Sequence, residues 1–239
     1  MYEPRILLKG PFALDAFALV HSDPEWRGDD AFEALVLPVW HERVAAAAAR
    51  DHRLWDGIHY RLTHVDDLAA GGPLRLGTIS FRYIVTIRRL WDEHVARGHG
   101  PYHHLSTAAL LRTSDGPYVF GKRAVNGAVD LIGGAFQPDE TLGAAANFRT
   151  NTLKEIREET GIAADALGAM SGLGIVLSTT SNVLVVAHVE TKLTREGVRE
   201  TFATREDDEM AEPVFVPAAD IRDYLRAMTD YRALLAELV

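Results

Sequence analysis

One stretch of this chain, residues 133–162, constrains its fold more than any other. It opens with two glycines and closes with three glutamates placed within five residues, Glu155, Glu158 and Glu159. In a helix, spacings of three and four residues bring these carboxylates onto one face, while Ile156 falls on another face that can pack against a sheet. The stretch therefore predicts a glycine turn followed by a helix with an acidic face.

An acidic face of this density predicts a metal site. Close carboxylates repel one another, and their pKa values rise unless a cation lies among them. Oxygen ligands suit the hard divalent ions Mg²⁺ or Mn²⁺, and Mg²⁺ commonly also binds substrate phosphates. For the glutamates taken alone, the alternative is a solvated helix face that ends in a Gly cap at Gly161.

The whole stretch resembles the signature of Nudix hydrolases: Gly, five residues, Glu, seven residues, Arg-Glu, an aliphatic residue, any residue, Glu-Glu, any residue, Gly, an aliphatic residue. Gly134 and Glu140 match the front half, and KEIREETGI at residues 154–162 matches the back half. Thirteen residues separate Glu140 from Lys154 where the family has seven. Lys154 stands where the family has Arg, which keeps the charge but not the bidentate hydrogen bonding.

The resemblance implies an α/β fold for residues 99–239, a Nudix α/β/α sandwich with a mixed sheet. Strands interleaved with one central helix and closing helices lead to the same expectation. The resemblance also implies that Glu155, Glu158 and Glu159 hold Mg²⁺ and that Glu140 supports the metal site. The alternative for Glu140 is a solvated loop acid near a helix start.

A further acid, as metal ligand or general base, is implied by the resemblance in a loop downstream of the helix. The candidates are Glu206, Asp207, Asp208, Glu209 and Glu212. We favour Glu209, because only a short loop separates it from the predicted strand at residues 214–216. A solvated acidic loop is the alternative for each of them.

The substrate side of the site is predicted at Arg123, Gly133 and Gly134. Arg123 ends the second strand of a predicted hairpin, where it resembles the family's substrate-side arginine. An arginine can bind a phosphate bidentately, although a surface arginine at a strand end is the alternative. Two glycines at a strand end let the backbone approach a ligand.

Composition excludes several other classes of function. The 239 residues include no Cys, which excludes a disulfide, a thiolate nucleophile and a Cys-ligated zinc. The net charge of −9 argues against nucleic acid as a partner. The N-terminus lacks the features of a signal peptide, and no apolar run is long enough to span a bilayer. We expect a cytoplasmic protein with a small-molecule nucleotide substrate and no membrane partner.

The chain divides, by prediction, into a smaller N-terminal α+β domain at residues 1–98 and a Nudix domain at 99–239. The break is the segment Gly98–Pro101. Before it, the pattern predicts a strand over residues 74–83 and a helix over 84–97. After it, the pattern predicts a strand over 127–132 that delivers the two glycines.

The N-terminal half narrows the expected substrate. Residues 54–62 (LWDGIHYRL) and 74–83 (LRLGTISFRY) resemble segments of the animal Nudix hydrolases that cleave UDP-glucose and UDP-galactose. The resemblance implies a metal-dependent pyrophosphatase that hydrolyses a UDP-sugar to UMP and a sugar 1-phosphate. ADP-ribose or a (d)NTP fits the signature equally well. Two other roles remain open: a non-catalytic nucleotide sensor on a Nudix fold, and an interaction role of the N-terminal half, which predicts a homodimer contact there.

Overall fold

A mixed sheet of eleven strands, counted over the residues that the structure describes, is the framework of the chain. The computed structural model describes residues 3–50, 53–70, 72–138, 147–205 and 207–239. The strands are β1 (Arg5–Phe12), β2 (Leu19–Glu25), β3 (Ile58–Leu62), β4 (Leu74–Ser80), β5 (His104–Arg112), β6 (Tyr118–Arg123), β7 (Val129–Asp130), β8 (Ile132–Ala135), β9 (Leu167–Leu177), β10 (Asn182–Thr191) and β11 (Met210–Val216).

Seven α-helices and two 3₁₀ helices accompany the sheet in this described part of the chain. The α-helices are α1 (Asp30–Ala48), α2 (Asp67–Ala70), α3 (Phe81–Arg89), α4 (Trp91–Ala96), α5 (Phe148–Thr160), α6 (Arg195–Phe202) and α7 (Ile221–Ala227). The 3₁₀ helices are Ala164–Ala166 and Asp230–Glu237. None of the described helices has both the length and the apolar character needed to cross a membrane.

Strand β5 lies at the centre of the sheet, whose main path runs β1-β9-β10-β5-β3-β4-β2. It pairs in parallel with β10 on one side. On the other side it pairs antiparallel with β3, β8 and β6 in turn along its length. Strand β6 also pairs with β7 and β11. The sheet is therefore mixed, as the sequence predicts.

Helices cover both faces of the sheet. On β10, Val183 and Val185 belong to a hydrophobic cluster that contains Ile156 of α5, whereas Leu184 belongs to a second cluster that contains Leu225 of α7. Neighbouring strand residues point to opposite faces, so α5 and α7 lie on opposite sides of the sheet. The predicted α/β class with an α/β/α layer order is confirmed.

The N-terminal half has a hydrophobic cluster of its own but shares the sheet. Phe32 of α1 and Tyr83 of α3 pack in that third cluster. Strand β1 nevertheless pairs with β9, and Arg61 of β3 pairs with His104 of β5. Strands from both sides of residue 98 are therefore hydrogen-bonded to each other, and the division into two domains there stays a prediction.

The predicted strand over residues 74–83 is too long. Strand β4 ends at Ser80, and α3 begins at Phe81. The carboxylate of Asp56 accepts a hydrogen bond of 2.9 Å from the backbone N–H of Arg82, which satisfies a donor in the first helical turn. This cap comes from 26 residues away, so the local pattern does not reveal it.

Two further elements are divided where the pattern predicts one. The helix predicted over 84–97 is divided at Leu90, whose φ of −114° and ψ of 43° are not helical. The strand predicted over 127–132 is divided at Leu131, because β7 pairs with β6 while β8 pairs with β5. A change of pairing partner has no local sequence signal.

Candidate active site

Helix α5, which carries the predicted metal ligands, is capped at both ends. The side chain of Asn147 accepts from the backbone of Thr150, and the Thr150 hydroxyl accepts from the backbone N–H of Asn147, each at 2.9 Å. Gly161 ends the helix with a φ of 71°, a left-handed conformation that favours glycine. The predicted end of the helix at Gly161 is confirmed.

Its apolar face docks α5 against the sheet. Ile156 and Thr160 are fully buried, and Leu153 packs against the same cluster. The amide of Asn151 donates a hydrogen bond of 2.7 Å to the hydroxyl of Thr107 on β5. This docking brings the glutamates of α5 to the two glycines of β8.

Glu159 faces Gly133. Its carboxylate is 2% exposed and accepts a hydrogen bond of 2.7 Å from the Gly133 backbone N–H. Gly133 has a φ of 155°, and a β-carbon there would lie 2.5 Å from Cα of Ala108 on the neighbouring strand. Both the conformation and the space require glycine at this position.

Glu155 faces Gly134 in the same way. A β-carbon at Gly134 would lie 2.9 Å from Cδ of the Glu155 carboxylate. The missing side chain of Gly134 therefore leaves the room that the carboxylate occupies. The glycine pair and these two glutamates form one buried acidic site.

Burial sets the electrostatics of this site. It raises the pKa of Glu159 to about 9, a shift that the Gly133 hydrogen bond opposes and the charge of Glu155 reinforces. Burial also raises the pKa of Glu155 to about 7; Lys154 opposes this shift, while Glu158 reinforces it. Raised pKa values at both carboxylates mean that the positive charge near them is too small to offset their burial.

Glu158 lies to one side of this pair. Its carboxylate is 3.4 Å from Nζ of Lys154, and the same Nζ is 3.7 Å from the Glu155 carboxylate. Across the described ranges, no three His, Asp or Glu side chains converge closely enough to hold a metal ion by themselves. The predicted three-glutamate set is thus a buried pair, Glu155 and Glu159, with Glu158 held beside it by Lys154.

Two of the predicted acids, Glu140 and Glu206, lie outside the described residues. The other downstream acids do not share one environment. Asp207 donates its backbone N–H to the carbonyl of Glu158 at 3.3 Å, which places this loop against α5. Glu212 instead pairs with Lys122 at 2.7 Å.

Glu209 lies at the rim of the acidic site. Its backbone carbonyl accepts from the Ala124 N–H at 2.8 Å, and its carboxylate is 3.3 Å from Nη1 of Arg123. About half of its side chain is exposed. The structure therefore brings Glu209 and Arg123 together. The negative charge of Glu209 also contributes to the raised pKa values of Glu155 and Glu159.

Arg123 is held between acids. Its Nε donates to the Asp130 carboxylate at 3.2 Å and its Nη1 to Glu209. Burial lowers the pKa of this guanidinium. The negative charges of Asp130, Glu159 and Glu209 raise it by more than burial lowers it, so the net shift in pKa is upward. Arg123 supplies positive charge near Glu159.

Asp130 belongs to the site, and the sequence does not reveal it. It lies three residues before Gly133, and its other partner, Arg232, is 102 residues away. An acid three residues before a Gly-Gly pair is only a weak sequence signal for a site residue. No local sequence signal indicates that Arg232 is its partner.

The histidines at positions 103 and 104 take different partners. The ring of His103 contacts the hydroxyl of Ser181 at 3.0 Å. The ring of His104 contacts that of His59 at 3.0 Å, and His59 contacts the Gln137 amide at 3.1 Å. Burial lowers the pKa of both His59 and His103 to about 4, so both rings are neutral near pH 7.

Comparison with known proteins gives structural likeness but no sequence match. No family model and no curated protein matches the chain. Similar solved structures include a MutT protein from Methanosarcina mazei, at 20% identity and a TM-score of 0.39 over 56% of this chain and 91% of that one. They also include the NUDIX domain of Shewanella oneidensis NrtR complexed with ADP ribose, at 17% identity and a TM-score of 0.39 over 62% and 94%. An ADP-ribose pyrophosphatase from Streptococcus suis matches at 18% identity and a TM-score of 0.37 over 56% and 89%. Because these TM-scores are low, we infer the function from the side chains of this chain.

Proposed function

We propose that this chain is a divalent-metal-dependent hydrolase of the Nudix type. It cleaves a nucleoside diphosphate linked to another group. The observation that carries the proposal is the buried pair Glu155 and Glu159, which faces Gly133 and Gly134 from one turn of α5. That arrangement agrees with the signature that residues 133–162 resemble.

The site fits a divalent cation by its chemistry. Two buried carboxylates with raised pKa values supply hard oxygen ligands, and a cation between them would offset their mutual repulsion. Glu155 and Glu159 would hold Mg²⁺ or Mn²⁺, with Glu158 and Glu140 as the further proposed ligands. When bound, such an ion polarises a diphosphate and lowers the pKa of bound water.

The other residues of the site divide the remaining tasks. Arg123 provides a guanidinium beside the acids, where it orients a phosphate oxygen and offsets developing negative charge. Glu209, half exposed at the rim, is the proposed base that accepts the proton of the attacking water at its carboxylate. Gly133 and Gly134 are the proposed substrate-side backbone, and their missing side chains let the neighbouring strand and the Glu155 carboxylate lie close to it.

The best candidate substrate is a UDP-sugar, which would give UMP and a sugar 1-phosphate. The N-terminal segments at residues 54–62 and 74–83 support this choice through their resemblance. ADP-ribose fits the glutamates and Arg123 equally well, as does a (d)NTP. A non-catalytic nucleotide sensor is the alternative of another class, and it predicts binding without turnover.

A substrate panel tests the proposal directly. UDP-glucose, ADP-ribose and dNTPs are each incubated with the chain, with and without Mg²⁺, and the released monophosphate or phosphate is counted. We expect Mg²⁺-dependent cleavage of a nucleoside diphosphate linkage, fastest with the UDP-sugar. Turnover that persists in excess EDTA would contradict the metal dependence, whereas tight binding of a nucleotide with no product would favour the sensor.

A further inference from the structure

Asp130 is the acceptor for two arginines. Its Oδ1 accepts from Nε of Arg232 at 2.8 Å, and its Oδ2 accepts from Nη2 of Arg232 at 2.7 Å. The same Oδ2 accepts from Nε of Arg123 at 3.2 Å, and Oδ1 accepts from the Leu131 N–H at 2.9 Å. The bond to Arg232 is the bidentate arrangement that fixes the plane of a carboxylate.

Asp130 is linked to the candidate site by two routes. Through its side chain it holds Arg123, whose other end holds Glu209. Through its backbone it precedes Gly133 by three residues along β7 and β8. The orientation of the Asp130 carboxylate therefore bears on the groups that line the site.

Arg232 comes from the 3₁₀ helix Asp230–Glu237, which has other attachments. Leu235 of that helix is fully buried in the second cluster. The carboxylate of Asp230 accepts from the Thr179 N–H at 3.3 Å. Removal of the Arg232 guanidinium leaves these attachments in place, so the helix can remain docked.

We propose that Arg232 is a positioning residue of the candidate active site. It fixes the Asp130 carboxylate, and through Asp130 it keeps one end of Arg123 in place while the other end holds Glu209. Without Arg232, Asp130 and Arg123 can form a bidentate pair of their own, which draws Arg123 away from Glu209. This inference rests on the proposed function, because it assigns Arg232 an effect on the same site.

A double-mutant cycle tests the proposal. The variants are Arg232→Met, Arg123→Met and the two combined, each compared with the parent for kcat and KM on the best substrate of the panel. We expect Arg232→Met to lower kcat on the order of tenfold and the combined variant to be no slower than Arg123→Met alone, because the effects of residues in one hydrogen-bond network are not additive. A purely structural loss would instead multiply the two effects.

The matched control is Arg226→Met. Arg226 lies on the preceding helix and pairs with Asp223 at 3.0 Å on the surface. It should leave kcat and KM as in the parent. If Arg232→Met does not fold, Arg232→Lys replaces it in the cycle, because lysine keeps the charge but cannot form two parallel hydrogen bonds.

The outcomes separate this proposal from the proposed function. If the parent cleaves nothing in Mg²⁺, the proposed function fails, and the same cycle is measured on the Kd of Mg²⁺-pyrophosphate by calorimetry. Non-additive losses in that Kd would support the positioning role. Parent-like values for Arg232→Met, losses that multiply, or no binding of pyrophosphate by the parent would each overturn it.

Discussion

Glu159 is a buried carboxylate and Asp130 a largely buried one, with 13% of its side chain exposed, yet their surroundings differ in charge. Asp130 accepts from two guanidinium groups, those of Arg232 and Arg123. Glu159 accepts from the neutral backbone N–H of Gly133. Asp130 is hydrogen-bonded to positive charge, whereas the charge of Arg123 only partly offsets the burial of Glu159.

The two acids accordingly shift in opposite directions. Burial alone would raise the pKa of Asp130, but Arg232 and Arg123 hold it below its ordinary value. Burial raises the pKa of Glu159 to about 9. The ionised form of Asp130 is favoured in the folded protein, whereas Glu159 loses stability when it ionises unless a cation binds beside it. This difference separates Asp130, which the arginines hold in place, from Glu159, the proposed metal ligand.

The largest expected effect is that of Glu159→Gln. We expect turnover to fall on the order of 10³-fold, because a proposed metal ligand is lost while the hydrogen bond from Gly133 can be kept. In metal-free protein at pH 8 the same variant should be at least as stable as the parent, since Glu159 must take up a proton on folding and the amide is neutral in both states. Steady-state kinetics and urea unfolding measure the two effects.

The control for this variant is Glu196→Gln, which changes an exposed acid paired with Arg199 on α6. It should leave turnover unchanged. Parent-like activity of Glu159→Gln, or a large loss of its metal-free stability, would remove the contrast with Asp130.

Asp130→Asn should lower the stability of the protein, unlike Glu159→Gln. Two arginines would lose their shared acid, so we expect the free energy of unfolding to fall by about 3 kcal/mol. Urea denaturation at pH 7 measures the loss. The surface variant Asp223→Asn, which loses its pair with Arg226, should cost less than about 1 kcal/mol. Equal losses of stability in the two variants would show that the contacts of Asp130 with the two arginines do not stabilise the fold.

The pH dependence of stability should differ between the two acids. For Glu155 and Glu159 the folded pKa values, about 7 and about 9, exceed the unfolded ones. Their contribution is therefore fully present below the unfolded pKa and is lost as the pH rises through 7 to 9. For Asp130 the pKa is lowered, so its contribution is present at neutral pH and is lost as the pH falls through that lowered value.

Thermal unfolding with and without Mg²⁺ checks this sign. We expect the melting temperature of the metal-free protein to be lower at pH 9 than at pH 6. Mg²⁺ should raise this temperature more at pH 9 than at pH 6. The pH-dependent loss should be at least about 1 kcal/mol, the equivalent of one pKa unit. A Mg²⁺ effect that is the same at both pH values would contradict the uncompensated pair.

The smallest effect should come from Gly134→Ala. The added methyl meets the end of the Glu155 side chain, which can move, so the fold should survive while the affinity for Mg²⁺ weakens severalfold. Gly133→Ala is the contrasting variant, because its methyl meets backbone on β5 and its φ of 155° strains any side chain. It should destabilise the protein by about 1–3 kcal/mol. Calorimetry and urea unfolding distinguish the two.

The sequence predicts those features whose cause is local. The capped end of α5 at Gly161, the packing of Ile156 and the α/β/α layers follow from spacing and alternation. The close approach of Glu155 and Glu159 to the glycines agrees with the signature-like stretch. The assignment of catalytic roles to Arg123 and Glu209 stays a prediction.

The features that the sequence does not predict depend on residues far apart in the chain. Asp56 caps α3 from the loop before β3, and Arg232 reaches Asp130 from the 3₁₀ helix Asp230–Glu237. Glu158 is instead held beside Lys154 by a local i,i+4 ion pair, and its role as a metal ligand stays a prediction.

The most direct test is a count of the divalent ions that bind to the acidic pair. Mn²⁺ is titrated into the metal-free protein at pH 8 and the free ion is followed by electron paramagnetic resonance. The parent and a Glu196→Gln, Glu200→Gln control should bind Mn²⁺ at the same site with the same affinity, and Glu155→Gln combined with Glu159→Gln should lose that binding. Parent-like Mn²⁺ affinity in this last variant would contradict the claim that the buried glutamates hold the metal.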